Sequence, residues 1–182
     1  MDDIVKRAMA KWPNVPDCFN WLGLDRRGNW CLRDDATQAL GPFPMSRGDV
    51  LEHTGLIDFI GRNYGKDDSG RWFFQNGPQR VFIELECTPF IWRVQIEEGK
   101  NISVHSHTQL TAQVLNTYLD ESGLVYLETD LGFGLVHSMD MWGVGEVIDQ
   151  GIWSPIELMA KEMPERFGFI QSPASNSQEK TT

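Results

Sequence analysis

The chain has 182 residues, enough for one domain or two small ones; 41% are hydrophobic and 23% charged, the profile of an ordinary globular protein. Lys and Arg number 16 and Asp and Glu 26, a formal net charge of −10. That balance argues against a nucleic-acid binder and against docking on anionic lipid, since both need a cationic face.

Cys18, Cys31 and Cys87 are odd in number and widely spaced, with no C-x-x-C. They form neither a disulfide framework nor a zinc knuckle and fit buried thiols in a reducing compartment. The start Met1-Asp2-Asp3 is acidic where a signal peptide is basic, and no apolar run approaches the ~18 residues of a membrane span. The expected location is the cytoplasm, with no membrane partner.

Ile4, Val5, Ala8, Met9 and Trp12 recur on one helical face, with acidic residues before them and Lys6, Arg7 and Lys11 after, the order a helix dipole favours. Pro13 and Pro16 end this helix. Cys18 to Leu24 and Asn29 to Arg33 then predict a hairpin around Asp25-Arg26-Arg27-Gly28. A loop with Gly41-Pro42-Phe43-Pro44 follows. Ser46, with Asp49 three residues on, predicts the N-cap of a second helix carrying Leu56, Ile57, Ile60 and Tyr64 and stopped by Gly65.

From Arg71 to Met139 the period becomes two, which predicts a strand meander. Seven strands are expected at 71–76, 79–86, 89–97, 101–107, 113–120, 124–129 and 132–139. Turn chemistry separates them, including Asn76-Gly77-Pro78, Glu98-Gly99-Lys100-Asn101 and Asp130-Leu131-Gly132. Gly143 to Gln150 predicts a short helix stopped by Gly151. Ser154-Pro155-Ile156-Glu157 has the form of a complete capping box, opening a helix with Ile156, Met159, Ala160 and Met163 on one face and Pro164 at its end. The polar stretch from Ser172 predicts a disordered tail. The fold class expected is α+β: a mostly antiparallel, bent sheet or partial barrel with flanking helices. It divides into a first half over residues 1–66, a second over 67–171 and the tail at 172–182.

An Asp, a turn Gly and an aromatic recur at Asp25…Gly28-Asn29-Trp30, at Asp68-Ser69-Gly70-Arg71-Trp72, and at Asp120…Gly123…Tyr126. The last two align further at an offset of 53 residues, Phe73 on Tyr126 and Phe82-Ile83 on Leu135-Val136. Two similar hairpins or a true internal repeat would both produce this echo.

The stretch Gly77-Pro78-Gln79-Arg80-Val81-Phe82-Ile83-Glu84-Leu85-Glu86-Cys87-Thr88-Pro89-Phe90, the turn Thr129-Asp130-Leu131-Gly132 and the hairpin Gly28-Asn29-Trp30 resemble an uncharacterised bacterial family, domain of unknown function 1285. The resemblance covers roughly residues 20 to 140, and the whole chain looks like a member of a sister proteobacterial family, also uncharacterised. It implies repeated αβ motifs, a C-terminal part similar to pleckstrin-homology-like barrels, and a role in regulation, signalling or ligand sensing. It brings no catalytic residues. The acidic charge departs from the phosphoinositide binding of pleckstrin domains, so that activity is not carried over.

For chemistry, His105-Ser106-His107 puts two imidazoles on one strand face, half of a metal site whose third ligand would be His53, His137 or a carboxylate. The plainer reading is an exposed polar face. His137 lies in phase with Phe133, Leu135 and Met139 and is the best single candidate for a titrating group in a pocket. Glu84, Glu86 and Arg80 share a strand face, the pattern of a solvated surface. Gly132-Phe133-Gly134 and Gly143-Val144-Gly145 lack the context of a phosphate cradle, and no Gly-x-Ser-x-Gly, His-Glu-x-x-His or Walker sequence occurs. Asn76, Gln79 and Arg80 occupy one turn, and Asp130 the related turn 53 residues on. With His137 they make a candidate ligand cleft between repeats.

The expectation is a non-enzymatic binding or regulatory module for a small ligand or a partner protein, without a cofactor. The alternatives are a metal-dependent enzyme using His105 and His107, and a structural protein that dimerises through an open strand edge.

Overall fold

The computed structural model of the chain describes residues 1–97 and 101–178. The chain forms two compact units. The first comprises Met1–Asp25, Asn29–Glu86 and Gly168–Thr182, and the second Arg26–Gly28 and Cys87–Phe167. The boundary expected at 66/67 therefore falls inside the first unit, where β4 (Tyr64–Lys66) pairs antiparallel with β5 (Trp72–Asn76).

The first unit opens with α1 (Asp3–Lys11), as its apolar stripe predicts. β1 (Cys18–Leu24) and β2 (Trp30–Leu32) are the expected hairpin. Three elements then depart from expectation. A short helix α2 (Asp35–Leu40) stands where no element was expected, capped by the Asp34 side chain, which accepts from the Thr37 N–H at 2.8 Å. Ser46 caps no helix; its hydroxyl donates to the Thr37 carbonyl at 2.7 Å, and β3 (Asp49–Val50) follows it. The helix α3 (Thr54–Arg62) begins only after His53, whose ring nitrogen accepts from the Leu56 N–H. With β6 (Gln79–Leu85) the strands make a six-stranded sheet ordered β3-β2-β1-β6-β5-β4. Every neighbouring pair is antiparallel except β1 and β6. Aromatic rings fill its core: Phe19 stacks on Phe82 at 4.7 Å, and Phe73 meets Phe82 edge-on.

The second unit holds β7 (Phe90–Ile96), β8 (Ile102–Ser106), β9 (Thr111–Ala112), β10 (Val114–Leu119), β11 (Val125–Thr129), β12 (Phe133–Val136) and β13 (Ile156–Glu157). They are ordered β13-β10-β11-β12-β7-β8-β9. All seven strands read from the period-two pattern exist, but they are no single meander: two lie in the first sheet, and β12 returns to lie parallel to β7. The turn expected at Glu98-Gly99-Lys100 lies outside the described residues. α4 (Met141–Asp149) matches the expected short helix, with Gly151 at φ +70° past its end. Asp140 fastens its start to β7: the Arg93 guanidinium donates to both carboxylate oxygens at 2.7 and 3.0 Å, and the Val94 N–H donates at 2.9 Å.

The capping box at 154–157 opens no helix. Ile156 and Glu157 pair parallel with Tyr118 and Leu119, and the Leu158 N–H continues the ladder to the Leu119 carbonyl. Sheet pairing overrides the local cap signal. Helical structure is delayed to a 3-10 turn over Ala160–Glu162 that runs into α5 (Met163–Phe167), where Pro164 sits in the first turn, a position that needs no N–H donor. Nor is the chain from Ser172 structureless throughout: α6 (Pro173–Gln178) belongs to the first unit, and residues 179–182 lie outside the described ones.

The 53-residue echo is a structural repeat. The pairs Lys66↔Trp72 and Phe73↔Phe82 recur as Leu119↔Val125 and Tyr126↔Leu135, and the parallel pair Leu22↔Ile83 has its counterpart in Trp92↔Val136. Both sheets join two antiparallel triples by setting the first strand beside the sixth, in parallel. The turn also repeats, three times. Asp25, Asp67 and Asp120 each donate their N–H to the carbonyl four residues on and take that residue's N–H on their carboxylate. Gly28, Gly70 and Gly123 fill the left-handed position at φ +79°, +81° and +78°. The aspartate of the middle copy is thus Asp67, one residue before the expected Asp68. Among the described residues, no helix is long and apolar enough to cross a membrane.

Candidate functional site

In the first unit, β1 carries an irregularity. Its parallel pairing with β6 slips between Cys18↔Val81 and Leu22↔Ile83, and Asn20 adopts the left-handed conformation at φ 67°, which Asn tolerates better than most residues. The Asn20 carbonyl accepts from Arg33 Nη1 at 3.2 Å. Arg33, only 2% exposed, also donates from Nε to the Ser46 carbonyl at 2.9 Å and from Nη2 to the Gly41 carbonyl at 2.6 Å. One guanidinium thereby ties the β1 bulge to both ends of the loop after α2. All three acceptors are neutral, and among the described residues no carboxylate stands at ion-pair distance from Arg33.

Arg33 lines a cavity of about 190 Å³ together with Asn20, Gln38, Gly41, Pro42, Glu84, Ser172, Ala174 and Ser175. The C-terminal segment makes one wall. It is docked by the Ile170 N–H on the Gly70 carbonyl at 3.0 Å and by the Leu85 N–H on the Gln171 carbonyl at 2.8 Å. Glu84 is 3% exposed, and its Oε1 accepts from the Ala174 N–H at 3.3 Å. Burial pushes its carboxyl above the usual carboxylate range, against the opposing pull of the Ser172 hydroxyl, the Ala174 N–H and the Arg33 charge. Glu84 is therefore no part of a solvated face. β6 is a central strand covered on both sides, and of the three residues expected on that face, Glu86 pairs with Arg47 at 2.5 Å and Arg80 lies over the Phe73 ring at 4.9 Å.

A family model labelled DUF2944 and described as "Protein of unknown function (DUF2946)" matches residues 1–174. The chain belongs to this family. No curated protein matches it. Among solved structures, the chain is similar to a DUF1285 family protein from Silicibacter pomeroyi DSS-3, at 12% identity and a TM-score of 0.51, over 81% of this chain and 85% of that one. It is also similar to a DUF1285 family protein from Shewanella baltica OS155, at 13% identity and a TM-score of 0.47, over 69% and 91%. The first likeness places the family's fold beside that of DUF1285, as the resemblance in sequence implies.

The residues expected to form a cleft divide between the units. Asn76, Gln79 and Arg80 sit together at the β5–β6 hairpin of the first, where Gln79 Nε2 donates to the Pro16 carbonyl at 3.0 Å. Asp130 and His137 belong to the second. Asp130 accepts from the Gln113 N–H at 2.8 Å, and His137 Nδ1 accepts from the Met139 N–H at 3.1 Å, capping a 3-10 turn over Ser138–Asp140. His105 and His107 do not form a strand-face pair. β8 ends at Ser106, whose hydroxyl accepts the Thr108 and Leu110 N–H groups and turns the chain. His105 Nδ1 meets the Thr111 hydroxyl at 3.2 Å, while His107 Nδ1 accepts from the Ile91 N–H at 3.3 Å. Among the described residues, no three His, Cys, Asp or Glu side chains converge to hold a metal ion.

Arg33 and Glu84 were missed as site residues, although the sequence carried a signal for one of them. Glu84 interrupts Val81-Phe82-Ile83-Glu84-Leu85, a run apolar on both faces, and a carboxylate inside a doubly buried strand has to be buried with it. In the repeat, Glu84 also occupies the position of His137, another buried polar group.

Proposed function

We propose that the first unit is a binding module for a small anion, held in the cavity beside Arg33. The observation that carries this reading is the buried guanidinium lining a cavity while bonded only to neutral carbonyls. No carboxylate bonds to this buried guanidinium directly, and an anion entering the cavity would pair with it. Glu84 lines the same cavity without bonding to the guanidinium, and burial raises its carboxyl against the attraction of the Arg33 charge. The volume, roughly six times that of a water in the liquid, suits a ligand of a few heavy atoms rather than a nucleotide. Gln38, Ser172 and Ser175 add polar side chains to the cavity lining.

Titration calorimetry of the full chain with sodium propionate, inorganic phosphate and the neutral propionamide tests this. The reading requires that at least one anion bind while propionamide does not. Ser175→Trp, which fills the mouth from an exposed position, should abolish that binding. If neither anion binds, or if the Trp variant binds as the wild type does, the reading fails.

A further inference from the structure

Two carboxylates brought into one small cavity around a single cation repel, which favours one of them keeping a proton. We propose that the Arg33 cavity takes a monocarboxylate together with one proton, with the Glu84 carboxyl holding that proton against the ligand's carboxylate. This deepens the anion-binding reading of the same site and rests on it.

The geometry carries the argument. Glu84 and Arg33 line the same cavity of about 190 Å³, and both are at least 97% buried, so a carboxylate bound there would meet both. Two carboxylates confined in one cavity favour one of them keeping its proton, as in paired carboxylates that share one. Around Glu84, burial favours the neutral acid while its polar neighbours favour the carboxylate. The Arg33 charge faces it from the stretch after β2. β1 runs beside it as backbone, with Gly23 paired to Glu84, and the C-terminal segment adds the Ser172 hydroxyl and the Ala174 N–H. No second cation faces Glu84 among the described residues. Burial raises the Glu84 carboxyl from its ordinary value before any ligand arrives.

The balance is simple. When Glu84 is ionised in the free protein, one carboxylate ligand and one solvent proton enter together, and the Glu84 O–H donates to the ligand oxygen. Arg33 then neutralises the single remaining negative charge. A dianion such as hydrogen phosphate leaves one charge unmatched and is selected against. A neutral amide gains nothing from Arg33. The ligand class is therefore a short monocarboxylic acid, bound more tightly as the pH falls.

The experiment is propionate binding by the full chain between pH 5.5 and 8.5, measured by calorimetry in two cationic buffers of different ionisation enthalpy. With the proton linkage, Kd should rise about tenfold per pH unit in the alkaline part of the range, with uptake approaching one proton. Glu84→Gln keeps a donor toward the ligand and an acceptor for the Ala174 N–H. It should bind propionate with a flat pH profile and no proton uptake. The infrared band of a protonated carboxyl should strengthen on propionate binding in the wild type and not in Glu84→Gln. If wild type and Glu84→Gln bind propionate with the same pH profile, the proton coupling is wrong and the anion site stands. If phosphate binds more tightly than propionate at pH 8, the monocarboxylate assignment is overturned. If no anion binds the wild type at any pH, the anion site itself is wrong, and this inference falls with it.

Discussion

Arg33→Met removes the guanidinium and keeps much of the stem. Three hydrogen bonds disappear, to Ser46, Asn20 and Gly41 at 2.9, 3.2 and 2.6 Å, and three carbonyls lose a charged donor. A hydrogen bond to a charged group contributes about 1.5–3 kcal/mol, and a buried group left unpaired costs about 1–3 kcal/mol. Two effects oppose the loss. The variant no longer buries a charge, and the cavity lets water reach some of the freed carbonyls. The net expectation is about 2–4 kcal/mol of lost stability, less than the hydrogen bonds sum to because of these offsets. Against a typical total of about 5–15 kcal/mol this is severe but survivable. Urea unfolding followed by tryptophan fluorescence measures it as a lower midpoint at unchanged slope. Arg33→Lys should fall between, since an ammonium keeps the charge but cannot span three carbonyls with one planar fork. A loss below about 1 kcal/mol in Arg33→Met would refute the view that this side chain ties the bulge to the loop.

Three further outcomes are expected. Gly134→Ala should cost about 1–3 kcal/mol as overpacking, measurable in the same urea assay, because a Cβ there would stand 2.4 Å from the Phe90 carbonyl oxygen and from Trp92 Nε1. Burial, reinforced by the Asp25 and Glu86 carboxylates against Arg47, pushes the Cys31 thiol up to about 11, so at pH 8 a thiol reagent should spare Cys31 in the native protein and label it only in denaturant. For Asp140, burial raises the carboxyl, but Arg93 and the Val94 N–H outweigh it and hold it below the usual range. Its stabilisation is thus present at neutral pH and lost as the pH falls through its lowered value, so Asp140→Asn should cost stability at pH 7, and the gap to wild type should close in acid, as thermal melts at both pH values would report.

Hairpins were legible because their signals are local. Asp25…Gly28 and the period-two strands dictate turn and register with no help from distant residues, and the 53-residue echo already contained the pairing of β5 with β6. Helix starts were less legible where a cap signal competed with the sheet. Ser154-Pro155-Ile156-Glu157 has every feature of an N-terminus, yet its backbone groups complete β10 instead. Ser46 spends its hydroxyl on Thr37, not on a cap. The site was hidden for a related reason. Arg33 and Glu84 lie far apart in sequence, and what unites them is a bulge in β1 and a C-terminal segment that returns to the first sheet; neither leaves a short-range pattern.

That return also dictates an order of assembly. Ile170 and Gln171 complete the surroundings of β5 and β6, and Ser172 to Ser175 close one wall of the cavity. During translation these residues emerge only after all of Cys87–Phe167 has been made. A nascent chain can build the β1–β6 sheet early and still have no finished cavity until the rest of the protein follows. Any ligand held there cannot assist early folding, and its binding marks a chain whose synthesis has run past the second unit.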